Sequence, residues 1–244
     1  MLRSRLISPA AAALVGLLSM AGAPAHAVEI LTGNIPPFSI ENGERPGFVR
    51  EIVAEMAKLV GVEANVTYMN WPQAQELAKT QVDTLVYPLA RTPAREPHYV
   101  WIQKLLDMDV LFATAAGRPP VASEAEAKSL ARIGVREGSP MVKDLQDRGF
   151  TNLVIVKSPD ENARALVAGR IDAWYAPAPE IGFNWTTLKL PSAPVWGVKL
   201  DSAPLYVAAS KNSPGIQPAD WQRAFVKLKD DGTIERILGA YLPR

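Results

Sequence analysis

The sequence predicts an α/β fold in which parallel β-sheets carry helices on their faces. Strand-like and helix-like segments alternate along most of the chain, which is the pattern of parallel sheets. Several helices begin at serine–proline pairs and are followed by glycine, so their bounds can be read from the sequence. An extended segment at residues 105–114 is suited to carry the chain from one lobe into a second.

The first part of the chain predicts two helices between short strands. Phe48 and the apolar residues that follow it at helical spacing predict a helix over 48–60. Pro72, at an early helical position, begins a second helix that ends near Gln81. Apolar segments between these features predict strands at 28–32, 65–69 and 82–87, and the sequence from Arg91 to Arg95 predicts a loop or a single helical turn.

The second part repeats the alternation. Residues 121–130 predict a helix, and Ser139-Pro140 and Ser158-Pro159 each predict a helix start with serine as N-cap. The segment 192–201, which contains Pro194 and follows Pro191, predicts irregular structure. Strands are predicted at 132–135, 154–156, 171–176 and 205–209, and the last two helices carry Trp221, Phe225 and Leu228 and then Ile234, Ile237, Leu238 and Tyr241 on their inner faces.

Residues 1–27 have the pattern of a secretory signal peptide. Arg3 and Arg5 precede a short apolar run, and Ala25-His26-Ala27 is a small-residue cleavage site, so we expect cleavage after Ala27. The apolar run is short for a membrane span, which needs roughly 20 apolar residues. The mature protein is therefore expected to be periplasmic, without insertion into the membrane.

Composition excludes several classes of function. The predicted signal peptide contains two Lys/Arg and no Asp/Glu, so its removal changes the formal net charge from +1 to −1. This near-neutral charge gives no reason to expect nucleic acid as a partner. The sequence has no cysteine, and His98 is the single histidine after residue 27, so disulfides, thiolate metal sites and Ser-His catalysis are not expected. No nucleotide-binding glycine loop is present, and we expect no cofactor.

Four segments resemble the type II periplasmic binding proteins of solute-binding family 3. They are Pro37-Phe38 with Gly47-Phe48, the stretch Asp83 to Arg95, Ala168-Gly169-Arg170-Ile171-Asp172-Ala173, and Asp230-Asp231-Gly232-Thr233 with Tyr241. The resemblance implies two Rossmann-like α/β lobes joined by a two-strand hinge that closes around a ligand. It places lobe I at residues 28–108 and 203–244, and lobe II at residues 109–202.

The resemblance also implies which lobe I residues bind the ligand. Arg95 matches the arginine that pairs with a ligand carboxylate in the family, and a planar guanidinium suits that role. Trp71 matches an aromatic platform, against the alternative of packing at a helix start. The other cleft positions by the same matching are Tyr87, Ala90, Asn34 and Ile35.

In lobe II, matching to the family points to Arg136, Ser139 and one of two aromatic residues. Ser139 lies at a helix N-terminus, which favours an anion. Arg136 either faces the cleft, where a second cation favours an anionic or dianionic ligand, or is a solvated arginine at a strand end. Trp174 and Tyr175 alternate on one strand, so we expect one of them to face the cleft and the other to lie in the core.

One departure from the family bears on the ligand. Pro177 stands where amino-acid receptors of the family carry an acid for the ligand ammonium, and Glu180, one helical turn later, is not expected to replace it. The ligand predicted from this is a carboxylate with an aromatic or apolar portion rather than an ordinary α-amino acid.

The leading hypothesis is a monomeric receptor that captures a small carboxylate and passes it to an inner-membrane permease, such as an ABC transporter, or to a sensor. It is not expected to be an enzyme. Two alternatives stay open: a module with a degenerate cleft that acts through a protein partner, and a cleft enzyme, for which Glu137 is the carboxylate to test.

Overall fold

The computed structural model describes residues 27–242. The predicted signal peptide lies outside these residues, apart from Ala27 itself. None of the helices in residues 27–242 is both long enough and apolar enough to cross a membrane.

Strands and helices alternate along the described residues. The strands are β1 Ala27–Thr32, β2 Glu63–Tyr68, β3 Thr84–Ala90, β4 Tyr99–Thr114, β5 Ile133–Arg136, β6 Leu153–Val156, β7 Ala173–Pro177 and β8 Val195–Ser210. The helices are α1 Phe48–Val60, α2 Trp71–Leu77, α3 Glu124–Ser129, α4 Pro140–Asp147, α5 Pro159–Val167, α6 Ala178–Thr187, α7 Pro218–Asp230 and α8 Thr233–Gly239.

The strands form one continuous sheet in the order β2-β1-β3-β8-β4-β7-β5-β6. The pairs β1–β2, β1–β3, β5–β6 and β5–β7 are parallel, and β4 and β8 pair antiparallel with their neighbours. The parallel strands confirm the α/β prediction. Both β4 and β8 have 16 residues and pair with each other along nearly their whole length. They connect the two α/β lobes, so the chain has the two-strand connection expected of this fold.

Each lobe has its own hydrophobic core. The largest cluster joins α1, α7 and α8 to one face of β1, β3 and the adjoining parts of β4 and β8, and it includes the fully buried Phe48 and Trp221. Two further clusters cover the two faces of β5 and β7 in the second lobe, around Tyr175 on one face and Trp174 on the other. The predicted boundaries at residues 108/109 and 202/203 fall inside β4 and β8, and they stay predictions.

Three element predictions are wrong. Residues 195–201, expected to be irregular, belong to β8, because pairing with β4 supplies hydrogen-bond partners that local sequence does not reveal. The second helix ends at Leu77 rather than near Gln81. Helix α6 was not predicted, although Pro179 in its first turn and the apolar residues Ile181 and Trp185 are typical of a helix.

Ser139 begins its helix as predicted, with Pro140 at the first helical position, but its side chain does not cap α4. The hydroxyl instead donates a hydrogen bond to the carbonyl of Arg136 at 2.7 Å. The hydroxyl therefore closes the turn that follows β5.

Candidate functional site

A cleft of about 580 Å³ lies between the two lobes. Its volume is within the range of about 300–1,000 Å³ that is typical of small-molecule sites. The lining residues are Asn34, Ile35, Pro36, Arg136, Lys157, Pro159, Glu180, Phe183 and Asn184. They follow the carboxyl ends of β1, β5, β6 and β7, which is where ligands bind in parallel α/β sheets.

The lobe I wall is the turn after β1. The backbone N–H of Ile35 donates to the carbonyl of Ser39 at 2.7 Å, and Ser39 returns a bond to the carbonyl of Ile35 at 3.0 Å. The Asn34 side-chain oxygen accepts the backbone N–H of Glu41 at 3.2 Å. The turn is therefore fixed by its own hydrogen bonds and presents one amide group and an apolar surface to the cleft.

The lobe II wall carries the charged groups. Arg136 ends β5, and Lys157 comes directly after β6, whose Val156 is the register partner of Arg136. Glu180 lies in the first turn of α6, and its Oε2 is 4.0 Å from Nε of Arg136. Lys157 has no ion pair within the described residues. Two cations and one carboxylate thus share this wall.

The carboxyl group of Glu180 is poorly satisfied. Its side chain is 16% exposed, and the 4.0 Å separation from Arg136 is too long for a hydrogen bond. Burial raises the pKa of Glu180, and the nearby charge of Arg136 offsets this only in part. A half-buried carboxyl with a raised pKa in a cleft is a candidate binding group, because a ligand can supply the missing donor.

Phe183 joins the cleft to the core of lobe I. The side chain is half-buried on α6, yet it packs against the core of the first lobe. Its ring lies 6.5 Å from that of Tyr241, with 29° between the ring planes. The Tyr241 hydroxyl donates to Glu51 at 2.6 Å and accepts the backbone N–H of Gly47 at 2.9 Å, and burial together with the Glu51 bond raises the pKa of Tyr241 to about 12. The contact of Phe183 is therefore made with a firmly held ring.

Three of the predicted ligand-binding residues line this cleft: Asn34, Ile35 and Arg136. Arg95 is not among the lining residues. Its Nη1 donates to the carbonyl of Ala90 at 2.9 Å, and its Nη2 donates to Oε1 of Gln75 at 2.6 Å. These bonds use two of the five N–H groups of the guanidinium, and a ligand contact by Arg95 stays a prediction.

The other lobe I candidates pack within the lobe. Trp71 begins α2, is half-buried, and packs on the cluster around Leu31 and Tyr99. Ala90 ends β3 and packs against the main lobe I core. Tyr87 is fully buried in that core, where its hydroxyl has no hydrogen-bond partner among the described residues. Burial raises the pKa of Tyr87 well above its ordinary range, although the nearby charge of Arg50 offsets part of the shift.

In lobe II, Ser139, Tyr175 and Pro177 are all buried. The Tyr175 hydroxyl donates to Oδ2 of Asp144 at 2.9 Å, and Trp174 is buried on the opposite face of the sheet, so neither aromatic ring lines the cleft. Pro177 pairs with Val110 at the end of β7 and leads directly into α6. These placements do not favour a direct ligand contact by Tyr175 or Pro177, whose binding roles stay predictions.

The cleft also contains residues that were not selected from the sequence. Glu180 was considered as a replacement for the acid missing at Pro177 but was not expected to take that role. Phe183 and Asn184 were missed because helix α6, which carries them, was not predicted. Lys157 and Pro159 follow β6, so the rule that ligands lie beyond the carboxyl ends of parallel strands was the signal that would have identified them.

Comparisons with known proteins identify the family of this chain. The family described as bacterial extracellular solute-binding proteins, family 3, matches residues 29–244. None of the curated protein sequences matches this chain.

Solved structures share the fold at low sequence identity. Substrate binding domain 2 of GlnP from Lactococcus lactis, in an open conformation, is 17% identical with a TM-score of 0.70, over 92% of this chain and 99% of that one. The GluR0 ligand-binding core from Nostoc punctiforme, in complex with L-glutamate, is 19% identical with a TM-score of 0.63, over 88% and 98%. A histidine kinase sensor domain with similarity to periplasmic binding proteins is 16% identical with a TM-score of 0.62, over 89% and 97%.

Proposed function

Because this chain belongs to the bacterial extracellular solute-binding proteins of family 3, we propose that it captures a small carboxylate-bearing ligand in the cleft between its lobes. The ligand is an amino-acid-like compound or an organic or aromatic acid, and it is bound and released without being converted. The observation that carries the proposal is the cleft of about 580 Å³, in which Arg136 and Lys157 stand beside a half-buried Glu180.

Two arginines are candidates for the carboxylate anchor. Arg136 lines the cleft, is 38% exposed and has its nearest carboxylate oxygen at 4.0 Å, so its guanidinium is available to a ligand. Arg95 is supported by the family motif alone. Its two bonds to Gln75 and Ala90 make it a supporting group for the lobe I wall unless the ligand reaches its remaining N–H groups.

Glu180 adds a requirement for a donor on the ligand. A half-buried carboxyl without a hydrogen bond gains from an ammonium or hydroxyl group placed against it. An amino-acid-like ligand fits this requirement, with Glu180 on α6 replacing the acid that Pro177 cannot provide. The same reasoning applies to hydroxy acids.

The alternative of a degenerate cleft that acts through a protein partner is less well supported. Such a cleft is expected to be filled by its own side chains, whereas this one is open and lined by charged and amide groups. We therefore retain the receptor as the proposed function.

Thermal unfolding of the mature protein against amino acids, dicarboxylates and aromatic acids tests the proposal. A ligand at about 100 times its Kd stabilises the folded state by roughly 2.7 kcal/mol and raises Tm by a few degrees. We expect a carboxylate to raise Tm and Arg136→Ala to abolish the rise. Loss of the rise in Arg95→Ala alone assigns the anchor to Arg95 instead. If no carboxylate in the panel raises Tm of the wild type, the proposed function is wrong.

We also propose a periplasmic location and delivery of the ligand to a permease or to a sensor. N-terminal sequencing of the protein recovered from the periplasmic fraction tests the location, and the expected first residue is Val28. Recovery of the full-length chain from the cytoplasmic fraction contradicts it.

A further inference from the structure

We propose that the ligand of the cleft carries two anionic groups, one bound by Arg136 and the second by the neighbouring Lys157 on lobe II. The inference rests on the proposed function and specifies its substrate class as dicarboxylates and acidic amino acids. Nothing in the family assignment selects this class.

The first step is the charge of the cleft wall. Of the nine lining residues, Arg136 and Lys157 are cationic and Glu180 is the single acid. With Glu180 ionised, the lining carries a formal charge of +1, and with Glu180 protonated it carries +2. Because burial raises the pKa of Glu180, a larger fraction of this carboxyl is protonated at a given pH than of an exposed carboxyl. One carboxylate on the ligand therefore leaves cationic charge unmatched when Glu180 is protonated.

The second step is that neither cation is held by a close partner of its own. The Arg136–Glu180 separation of 4.0 Å is at the outer limit of an ion pair. Lys157 forms no ion pair in the part of the chain that the structure describes, whereas other surface cations do: Lys143, Lys104 and Arg91 each lie within 2.8 Å of a carboxylate oxygen. The cations of the cleft wall thus differ from the paired cations of the surface.

The third step is their position. The backbone N–H of Glu137 donates to the carbonyl of Val156 at 2.7 Å, so the ends of β5 and β6 are joined directly after Arg136 and directly before Lys157. The two side chains extend from adjacent strand ends into one cleft. A guanidinium and an ammonium in this arrangement suit two anionic groups of one ligand, because each cation forms charge-assisted hydrogen bonds to a carboxylate.

The experiment compares acids with their isosteric amides. Dissociation constants are measured by titration calorimetry for L-glutamate against L-glutamine, and for succinate against succinamate. The proteins are the wild type, Lys157→Gln and the control Lys229→Gln, which makes the same charge change at an exposed position of α7. We expect the wild type to bind at least one acid about 10- to 100-fold more tightly than its amide. This preference is expected to fall below about 3-fold in Lys157→Gln and to stay unchanged in Lys229→Gln.

Because Lys157 is exposed, its variant is expected to fold, and an unchanged Tm without ligand verifies this. Equal binding of acid and amide by the wild type overturns the inference and leaves the proposed function in place. Binding of phenylalanine or benzoate, with no binding of glutamate or succinate, also overturns the inference and leaves the proposed function in place. An acid preference that survives in Lys157→Gln overturns the role of Lys157. Failure of every carboxylate to bind overturns the inference together with the proposed function.

Discussion

The two lobes contribute differently to the cleft. On lobe I, two of the residues matched to the family are engaged within the lobe: Arg95 donates to Gln75 and Ala90, and Tyr87 lies in the core. On lobe II, Arg136, Lys157 and Glu180 line the cleft with no hydrogen bond between their charged groups. A match to a family motif therefore identifies the position of a residue in the backbone. The neighbouring side chains decide whether that residue's polar group is available to a ligand.

The lobes meet at Phe183, and the largest effect is expected there. Phe183→Ala removes a half-buried ring that packs on the lobe I core and lies against Tyr241. We expect the free energy of unfolding to fall by about 2 kcal/mol, below the roughly 3–5 kcal/mol of a fully buried phenylalanine. Urea denaturation measures the change. The control is Val226→Ala, whose side chain is 53% exposed on α7, and an equal loss in both variants contradicts a stabilising contact between the lobes.

The two arginines sharpen the comparison between the lobes. Arg95→Ala leaves Gln75 and the Ala90 carbonyl without their donor, so we expect it to lower the free energy of unfolding by about 1.5–2 kcal/mol in the absence of ligand. Arg136→Ala removes a half-exposed pair at 4.0 Å, and we expect a change within about 0.5 kcal/mol. Chemical denaturation of both variants gives the two values. If the order is reversed, Arg136 is the structural cation and the comparison fails.

Much of the fold is predictable because its signals are local. The helix over 48–60 has the bounds read from its apolar spacing, and the helices after Ser139 and Ser158 begin at the predicted prolines. The bounds of β8 were not predictable, because residues 195–201 are extended through pairing with β4, a partner about 90 residues away in sequence. Long-range pairing overrides the local sequence pattern in this part of the strand.

The site is less predictable than the fold. Asn34 and Ile35 follow β1 and Arg136 ends β5, two strands that were recognised. These three candidates line the cleft, and their contact with a ligand stays a prediction. Glu180 was set aside because it lies one helical turn after Pro177, the position at which the family carries its acid, yet Glu180 lines the cleft. Whether a tyrosine turns toward the cleft or toward the core depends on packing between distant elements, as Tyr87 and Tyr175 show.

Substitution of Tyr175 in lobe II and Tyr87 in lobe I by phenylalanine is expected to change the free energy of unfolding by smaller amounts. Tyr175→Phe removes a hydrogen bond of 2.9 Å to Asp144, and we expect a loss of about 1.5 kcal/mol in the free energy of unfolding. Tyr87→Phe removes a buried hydroxyl that has no partner among the described residues, and we expect no loss or a small gain. Thermal and urea unfolding check both values. A clear loss in Tyr87→Phe indicates that its hydroxyl is satisfied in solution, for example by Ser39.

The smallest effect concerns the pH dependence of lobe II. Because burial raises the pKa of Glu180 in the folded protein above its ordinary value of 4.5, the folded state binds more protons than the unfolded state between these two pKa values. Stability from this group is therefore present at low pH and is lost as the pH rises through the folded pKa. The slope cannot exceed about 1.4 kcal/mol per pH unit, because one proton is involved.

Glu180→Gln removes this titration, so the stability of the variant relative to the wild type is expected to rise as the pH increases from about 4.5. Urea denaturation between pH 4 and pH 8 measures the difference, with the exposed Glu44→Gln as the matched control. Parallel profiles for wild type and Glu180→Gln mean that Glu180 is solvated like a surface carboxyl. In that case the lobe II wall carries a charge of +1 at neutral pH, and the contrast with the internally bonded lobe I wall rests on Arg136 and Lys157 alone.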